Sequence, residues 1–302
     1  MKFPPLLQAG DTIAITCPSG YLPPERTVFA KKTLEAWGYQ VVVGQTVGHE
    51  HFYFSDTDEG RLRELQTFLD DKNVKAILMG RGGYGLSRII DQIDFKKFKR
   101  HPKWICGFSD ITVLHSHIHA RLGISTIHGP MCAAFTQEAK DAAPHLLSLK
   151  KLFTGKAIKY PIPANPYNRP GKAKGVLVGG NLAILSHLSG SVSQMQTKGK
   201  ILFLEDIGEY LYAADRMLLN LKRAGFFDDL AGLLIGGFSD MKDTDRPFGQ
   251  NIYDIITDKV KKHSYPVCFD LPCGHLDINY ALCLGGTYAL EVQRNKVKLT
   301  MD

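Results

Sequence analysis

The chain has 302 residues, 44% hydrophobic and 22% charged, with a formal charge of +7. That is the composition of a soluble globular protein. No apolar run approaches the ~18 residues of a membrane span, and no basic stripe accompanies a recognition motif, which counts against membrane and nucleic-acid functions.

Taken in chain order, TIAITC (Thr12–Cys17) reads as a buried strand, and PERTVFAKKTLEAWGY as an amphipathic helix ended near Gly38. QVVVG is a second strand, GRLRELQTFLDD a second helix, and VKAILMG (Val74–Gly80) a third strand followed by the helix-like LSRIIDQID. KWICG is a fourth strand, DITVLHSHIHARLG a helix, and ISTIHG a fifth strand. Strands alternating with helices predict a parallel sheet covered by helices. Ligands of such sheets sit at the carboxyl ends of the strands. The loops to inspect therefore follow Cys17, Gly80, Gly107 and Ile127.

KYPIPANPYNRPGKAKG, with four prolines, predicts a linker over residues 159–175 between domains 1–158 and 176–302. The second domain offers the strands GVLVGG, KILFLED, GLLIGG, YPVCFD, TYALEV and KVKLTM, with helices at YLYAADRMLLNLKRAG and QNIYDIITDKVKKH. Its strand-rich end predicts a smaller β-rich unit, a mixed sheet or a partial barrel. The opening MKFPPLLQAGD lacks the ~7–15-residue apolar core of a signal peptide, which reads as cytoplasmic. The six cysteines are scattered without a CxxC pair, as expected of free thiols rather than disulfides or a zinc site.

GRGGYG (Gly80–Gly85) matches G-x-G-x-x-G between a strand and a helix-like run. It suits a dinucleotide, a turn whose N–H groups approach a reacting carbonyl, or a plain tight turn. The dinucleotide reading is weakened because the fingerprint belongs to the first strand of its unit, and because the acid expected ~20 residues on is only loosely supplied by Asp110.

GFSD occurs twice, at Gly107–Asp110 and Gly237–Asp240. An exposed nucleophilic serine suits a sharp strand-to-helix turn, where the helix N-terminus favours negative charge and the next N–H can bind an oxyanion. The first copy runs into a helix. The second runs into the polar, proline-broken MKDTDRPFG and reads as an ordinary strand end. Context favours Ser109 over Ser239. A helix-capping role for Ser109 or Asp110 is the competing reading.

His115, His117 and His119 lie on the helix that Ser109 opens. His115 should lie ~9 Å from Ser109 along the axis and point elsewhere, and the three lack the glutamate of a metalloprotease helix. The base must come from further along. ILFLED places Glu205 and Asp206 at the end of an apolar strand, where a carboxylate is costly unless paired or used. LPCGHLDINYALCLGG places His275 in a loop bounded by proline and glycine. The order Ser109, Glu205, His275 is that of an α/β-hydrolase triad, although the turn lacks that fold's second glycine.

GRGGYG, GFSD, HGPM at His128–Met131, GGNL at Gly179–Leu182, LFLEDIGE, GGFSD and GHLDINYALCLG, in this order, resemble the LD-carboxypeptidase family. These are bacterial serine peptidases that include the muramoyl-tetrapeptide carboxypeptidases. The resemblance implies a flavodoxin-like (Rossmann-like) N-terminal domain and a smaller β-rich C-terminal domain. It implies Ser109 as nucleophile, His275 as base and Glu205 as the orienting acid. Backbone amides of Asp110, Gly82 and Gly83 would form the oxyanion hole. Arg81 is the candidate for the substrate carboxylate, and Asn181 a candidate for substrate binding or a plain helix cap. The implied substrate is a cytoplasmic muropeptide tetrapeptide that loses its terminal D-alanine, handled by a homodimer with no metal or cofactor. One branch of the family instead cleaves a peptidyl-nucleotide antibiotic. The reading from another class is a non-catalytic or dinucleotide-binding protein.

Overall fold

The computed structural model describes residues 1–136 and 143–302. The first unit contains β1 (Thr12–Thr16), α1 (Val28–Ala36), β2 (Gln40–Val43), α2 (Asp58–Asp70), β3 (Val74–Met79), α3 (Leu86–Ile89), α4 (Lys96–Arg100), β4 (Trp104–Gly107), α5 (Thr112–Leu122), β5 (Thr126–His128) and α6 (Pro144–Phe153). Local signals set these bounds. Thr57 caps α2 by accepting from the Gly60 N–H, and Asp58 and Glu59 complement the helix dipole in its first turn. Gly123 ends α5 in the left-handed conformation.

β1 to β5 are parallel and stand in the order 5-4-3-1-2, the flavodoxin-like arrangement. β1, β3 and β4 are buried nearly end to end, as strands covered on both faces must be.

The second unit contains β6 (Gly171–Asn181), α7 (Leu182–His187), β7 (Ile201–Ile207), α8 (Leu211–Arg223), β8 (Gly232–Ser239), α9 (Ile252–Val260) and β9 (Val267–Cys268), then β10 (Leu282–Leu284), β11 (Thr287–Gln293) and β12 (Lys296–Met301). Its sheet has the order β12-β11-β6-β7-β8-β9. β6 to β9 are parallel, while β11 and β12 are antiparallel. Of the two expected forms, the mixed sheet is found, and α7, α8 and α9 accompany its parallel part. β6 begins inside the segment expected to be a linker.

β10 leaves its own unit and pairs antiparallel with β5, at the edge of the first sheet. The two sheets also share one continuous core, in which Leu78, Cys106 and Ile127 of the first join Leu177, Phe203 and Leu234 of the second. The carboxyl ends of β4 and β7 are thereby brought to a common region. All six cysteines are buried and unpaired.

Candidate active site

β4 delivers Ser109 onto a sharp turn. Phe108 is fully extended, and Ser109 adopts a left-handed conformation with φ of +64° before the chain enters a 3-10 turn (Ser109–Ile111) and then α5. A non-glycine residue there stores strain of about 1–3 kcal/mol and lifts its side chain out of the sheet end. Among the described residues neither the 3-10 turn nor α5 is capped by a side chain. Asp110 is a cap, but of another helix: its Oδ2 accepts from the Leu86 N–H that opens α3, at 3.0 Å.

The carboxyl-end loops expected to matter converge on this turn. Ser19 Oγ, after β1, donates to Asp110 Oδ2 at 2.6 Å. Gly20 N–H donates to the Gly82 carbonyl at 3.1 Å, and Gly129 N–H to the Gly107 carbonyl at 3.2 Å. Arg61, fully buried on α2, braces the same place by donating to the Pro18 carbonyl and pairing with Asp58. The GRGGYG turn lies on the serine itself. A Cβ placed on Gly82 would stand 2.9 Å from Ser109 Cβ and 3.1 Å from its Oγ. Among the described residues nothing accepts from the Gly82 or Gly83 N–H. α3, which follows, is a single turn of four residues. Gly82 thus serves close approach to Ser109, while Gly83 lies against Tyr53 and Gly85 against Arg61.

β7 supplies Glu205 and the loop after β9 supplies His275. Glu205 Oε2 accepts from the imidazole Nδ1 at 2.7 Å and from the His275 backbone N–H at 3.1 Å. Gly274 makes this grip possible, with φ of +104° and a hypothetical Cβ only 2.6 Å from Glu205 Oε2. Burial pushes the His275 imidazole down, but the hydrogen bond and charge of Glu205, with Asp206 adding to them, outweigh it and raise its pKa above the ordinary histidine value. The Nδ1 contact leaves Nε2 for proton transfer. The His275 ring stands edge-on to Phe108, the neighbour of Ser109, with centroids 4.8 Å apart. Among the described residues no hydrogen bond joins Ser109 Oγ to the imidazole.

Asp206, beside Glu205, ties β6 and α7 to β7. It accepts from Asn181 Nδ2 at 2.8 Å, from Ala183 N–H at 3.0 Å and from Ile207 N–H at 2.8 Å. Burial and the Glu205 charge raise its pKa to about 7, against the pull of these donors. Asn181 Oδ1 caps α7 through the Ile184 N–H, and the Asn181 N–H donates to Thr112 Oγ1 on α5 at 3.1 Å. Asn181 is therefore committed to the fold at both ends of its amide.

Arg81 is exposed and donates through Nη1 to the Tyr21 carbonyl at 2.7 Å. The helix histidines are engaged elsewhere. His115 Nε2 meets the Gly107 carbonyl at 2.9 Å, His117 meets Ser193 and stacks on Phe95, and His119 meets Lys200. Burial lowers the pKa of His115 to about 4.

Sequence reasoning missed Ser19 and Arg61 as members of this region, and singled out Asp206 and Ser239 without giving either a part in it. Ser19 had a usable signal, since it lies in a loop at a strand's carboxyl end. The second GFSD is a strand end, as expected, and its Ser239 hydroxyl also donates to the His275 carbonyl at 2.7 Å. Two cavities flank the His275 loop: one of about 370 Å³ lined by Phe108, Met131 and Leu276, and one of about 470 Å³ lined by His275, Ser239 and Asp277.

Comparison with known proteins decides what this geometry belongs to. The family model of the LD-carboxypeptidase N-terminal domain matches residues 13–129, and that of the LD-carboxypeptidase C-terminal domain matches residues 174–290. The chain belongs to the LD-carboxypeptidase family. It is a serine carboxypeptidase.

A probable murein peptide carboxypeptidase of Bacillus subtilis (strain 168) is 35% identical, over 95% of this chain and 91% of that protein. The crystal structure of a muramoyltetrapeptide carboxypeptidase from Oxalobacter formigenes superposes with a TM-score of 0.86 at 30% identity, covering 96% of this chain and 98% of that one. MccF in complex with glutamyl sulfamoyl guanosine superposes with a TM-score of 0.85 at 23% identity, covering 98% of this chain and 97% of that one, a likeness of fold. An LD-carboxypeptidase cuts an amide beside a free carboxylate. The site brings together a serine on a left-handed turn, an imidazole held by a carboxylate and a glycine packed against the serine.

Proposed function

We propose that this carboxypeptidase hydrolyses the L,D-amide bond of muropeptide tetrapeptides, releasing the terminal D-alanine in cytoplasmic peptidoglycan recycling. Ser109 is the nucleophile, His275 the general base and Glu205 the group that orients the imidazole. The observation that carries the reading is the double grip of Glu205 on His275 beside the strained Ser109 turn. The murein and muramoyl names of similar proteins support the substrate class.

The steps follow from the groups. His275 Nε2 takes the Ser109 proton as Oγ attacks the scissile carbonyl carbon. Rotation of Ser109 about χ1, or closure around substrate, brings Oγ to Nε2, since such bonds often tighten only in the complex. The carbonyl oxygen becomes an oxyanion facing the N–H groups of Asp110, Gly82 and Gly83, and each donor lowers the barrier by roughly 3–4 kcal/mol. The imidazolium, stabilised by Glu205, gives its proton to the leaving D-alanine amine. Water then attacks the acyl-enzyme by the same path in reverse and frees Ser109. Arg81 clamps the terminal carboxylate. Asn181 supports the site from behind as a helix cap. The nucleophile comes from residues 1–158, and the base and its orienting acid come from residues 176–302. The protein works as a homodimer.

The test is D-alanine release from a muramoyl tetrapeptide by the wild type and Ser109→Ala, with an aminoacyl-sulfamoyl nucleotide as a second substrate. Serine-dependent release of D-alanine is expected. Equal rates for the two proteins would sink the triad, and turnover of the nucleotide conjugate alone would move the substrate to the antibiotic class.

A further inference from the structure

The second GFSD has no step in the chemistry above, yet it lies against the loop that carries the base. β8 and this loop run in step. Leu271 N–H donates to the Ile235 carbonyl at 3.0 Å, Gly237 N–H donates to the Cys273 carbonyl at 2.9 Å, and Ser239 Oγ donates to the His275 carbonyl at 2.7 Å. Alternate residues of the strand hold alternate residues of the loop, which is the period of one strand edge.

The first two rungs are backbone to backbone, and the third uses a side chain. The end of β8 supplies the reason. Ser239 is in register with Ile207 of β7, and its carbonyl accepts from the Gly208 N–H at 2.9 Å. Asp240 then turns the chain away with φ of +51°. The hydroxyl makes the rung that the departing backbone does not.

His275 is consequently held at both of its backbone groups, its N–H by Glu205 from β7 and its carbonyl by Ser239 from β8. The loop is also tied within itself, by Gly274 N–H to Asn279 Oδ1 at 2.8 Å and Tyr280 N–H to the Pro272 carbonyl at 2.9 Å. The peptide that carries the His275 carbonyl is tied within the loop by Leu276 N–H to the Gly274 carbonyl at 2.9 Å, and the Ser239 bond anchors the same peptide from outside the loop. A fixed peptide fixes the direction in which the imidazole leaves the chain.

We infer that Ser239 is a positioning residue for His275, holding the base in line with Ser109. The inference rests on the triad proposed above. Two other roles compete with it. Ser239 lines the same cavity as His275, so it could touch substrate, or it could serve only the fold.

Wild type, Ser239→Ala and Ser239→Thr separate these roles through D-alanine release, thermal melting and NMR titration of the His275 ring, assigned with His275→Gln. Ser239→Ala is expected to lower kcat about tenfold to a hundredfold, since a misplacement of ~1 Å can cost 10²-fold. KM and Tm should stay near wild type, because water in the cavity can take up the freed carbonyl. The imidazole midpoint should fall as the Glu205 contact loosens. Ser239→Thr, which keeps the hydroxyl, should retain both kcat and midpoint.

An unchanged kcat in Ser239→Ala, a loss confined to KM, or a threonine variant as poor as the alanine overturns the inference. If the wild type releases no D-alanine, the muropeptide reading fails on that result alone. The titration then decides for Ser239: a midpoint shifted in alanine and restored in threonine supports it, and any other pattern overturns it.

Discussion

Glu205 holds His275 twice with one oxygen, at the ring Nδ1 at 2.7 Å and at the backbone N–H at 3.1 Å. The ring contact selects the tautomer, and the backbone contact fixes the distance between β7 and the loop. A carboxylate fully buried at a strand end is costly in isolation, and here its partner is the imidazole.

The pH dependence follows from this pair. His275 must be neutral to accept the serine proton, and its pKa is raised. The acid limb of kcat/KM should therefore have its midpoint above the ordinary histidine value of about 6.5. Glu205→Gln should move that midpoint down and lower kcat by about 10⁴-fold, as loss of the orienting acid does elsewhere. Stability follows the same sign. A raised folded pKa gives stabilisation that is complete below the unfolded value and is lost as pH climbs through the folded one. The Tm gap between wild type and Glu205→Gln should thus narrow on going alkaline, and an acid limb below the ordinary value would contradict the pairing.

Ser109 sets stability against activity. Its φ of +64° suits glycine. Ser109→Gly should abolish D-alanine release and raise stability by about 1 kcal/mol, the lower end of such strain. Ser109→Ala keeps a Cβ and the strain, so it should be equally inactive with a Tm near wild type. Thermal melts of the two variants side by side provide the check.

Gly82→Ala drives a methyl group into Ser109, whose Cβ and Oγ lie 2.9 and 3.1 Å from it. The serine must shift, and a displacement of ~1 Å at a reacting atom costs about 10²-fold in rate. Kinetics should show a fall in kcat with little change in KM.

Arg81 is exposed and its Nη1 meets the Tyr21 carbonyl. As a carboxylate clamp, its replacement by alanine should raise KM for the tetrapeptide by about tenfold or more, since hydrogen bonds to charged groups are worth about 1.5–3 kcal/mol. Tm should hold, and an amidated substrate terminus should be insensitive to the change.

Asn181→Ala removes the cap of α7 and the donor to Asp206 Oδ1. Loss of a cap costs about 1 kcal/mol, and loss of one of the two donors to Asp206 Oδ1, which keeps the Ile207 N–H, costs about 0.5–1.5 kcal/mol more. Chemical denaturation should report a loss in that range. An unchanged denaturation midpoint would show that Asp206 finds another donor.

The first sheet was legible because its strands are apolar runs separated by amphipathic helices, a local pattern that parallel pairing imposes. Ser109 was legible for the same kind of reason: a short strand, a turn and a helix follow one another directly. The pairing of Glu205 with His275 was legible only as residue types at strand and loop ends, and the family resemblance joined them. Nothing local shows that residues 70 positions apart share a hydrogen bond. The second GFSD ends β8, as its polar, proline-broken sequel predicts, but its serine's bond to the His275 carbonyl comes from a loop beyond β9 that nothing local announces. β6 beginning at Gly171 was hidden by the prolines just before it.

β10 gives the molecule a constraint on its order of assembly. β5 is complete once residue 128 has been made, but its outer edge is covered by residues 282–284. During synthesis the first sheet therefore waits with an open edge, the kind that recruits strands from other chains. A fragment cut in the proline-rich segment would keep that edge permanently, so the first unit depends on the second to close its own sheet.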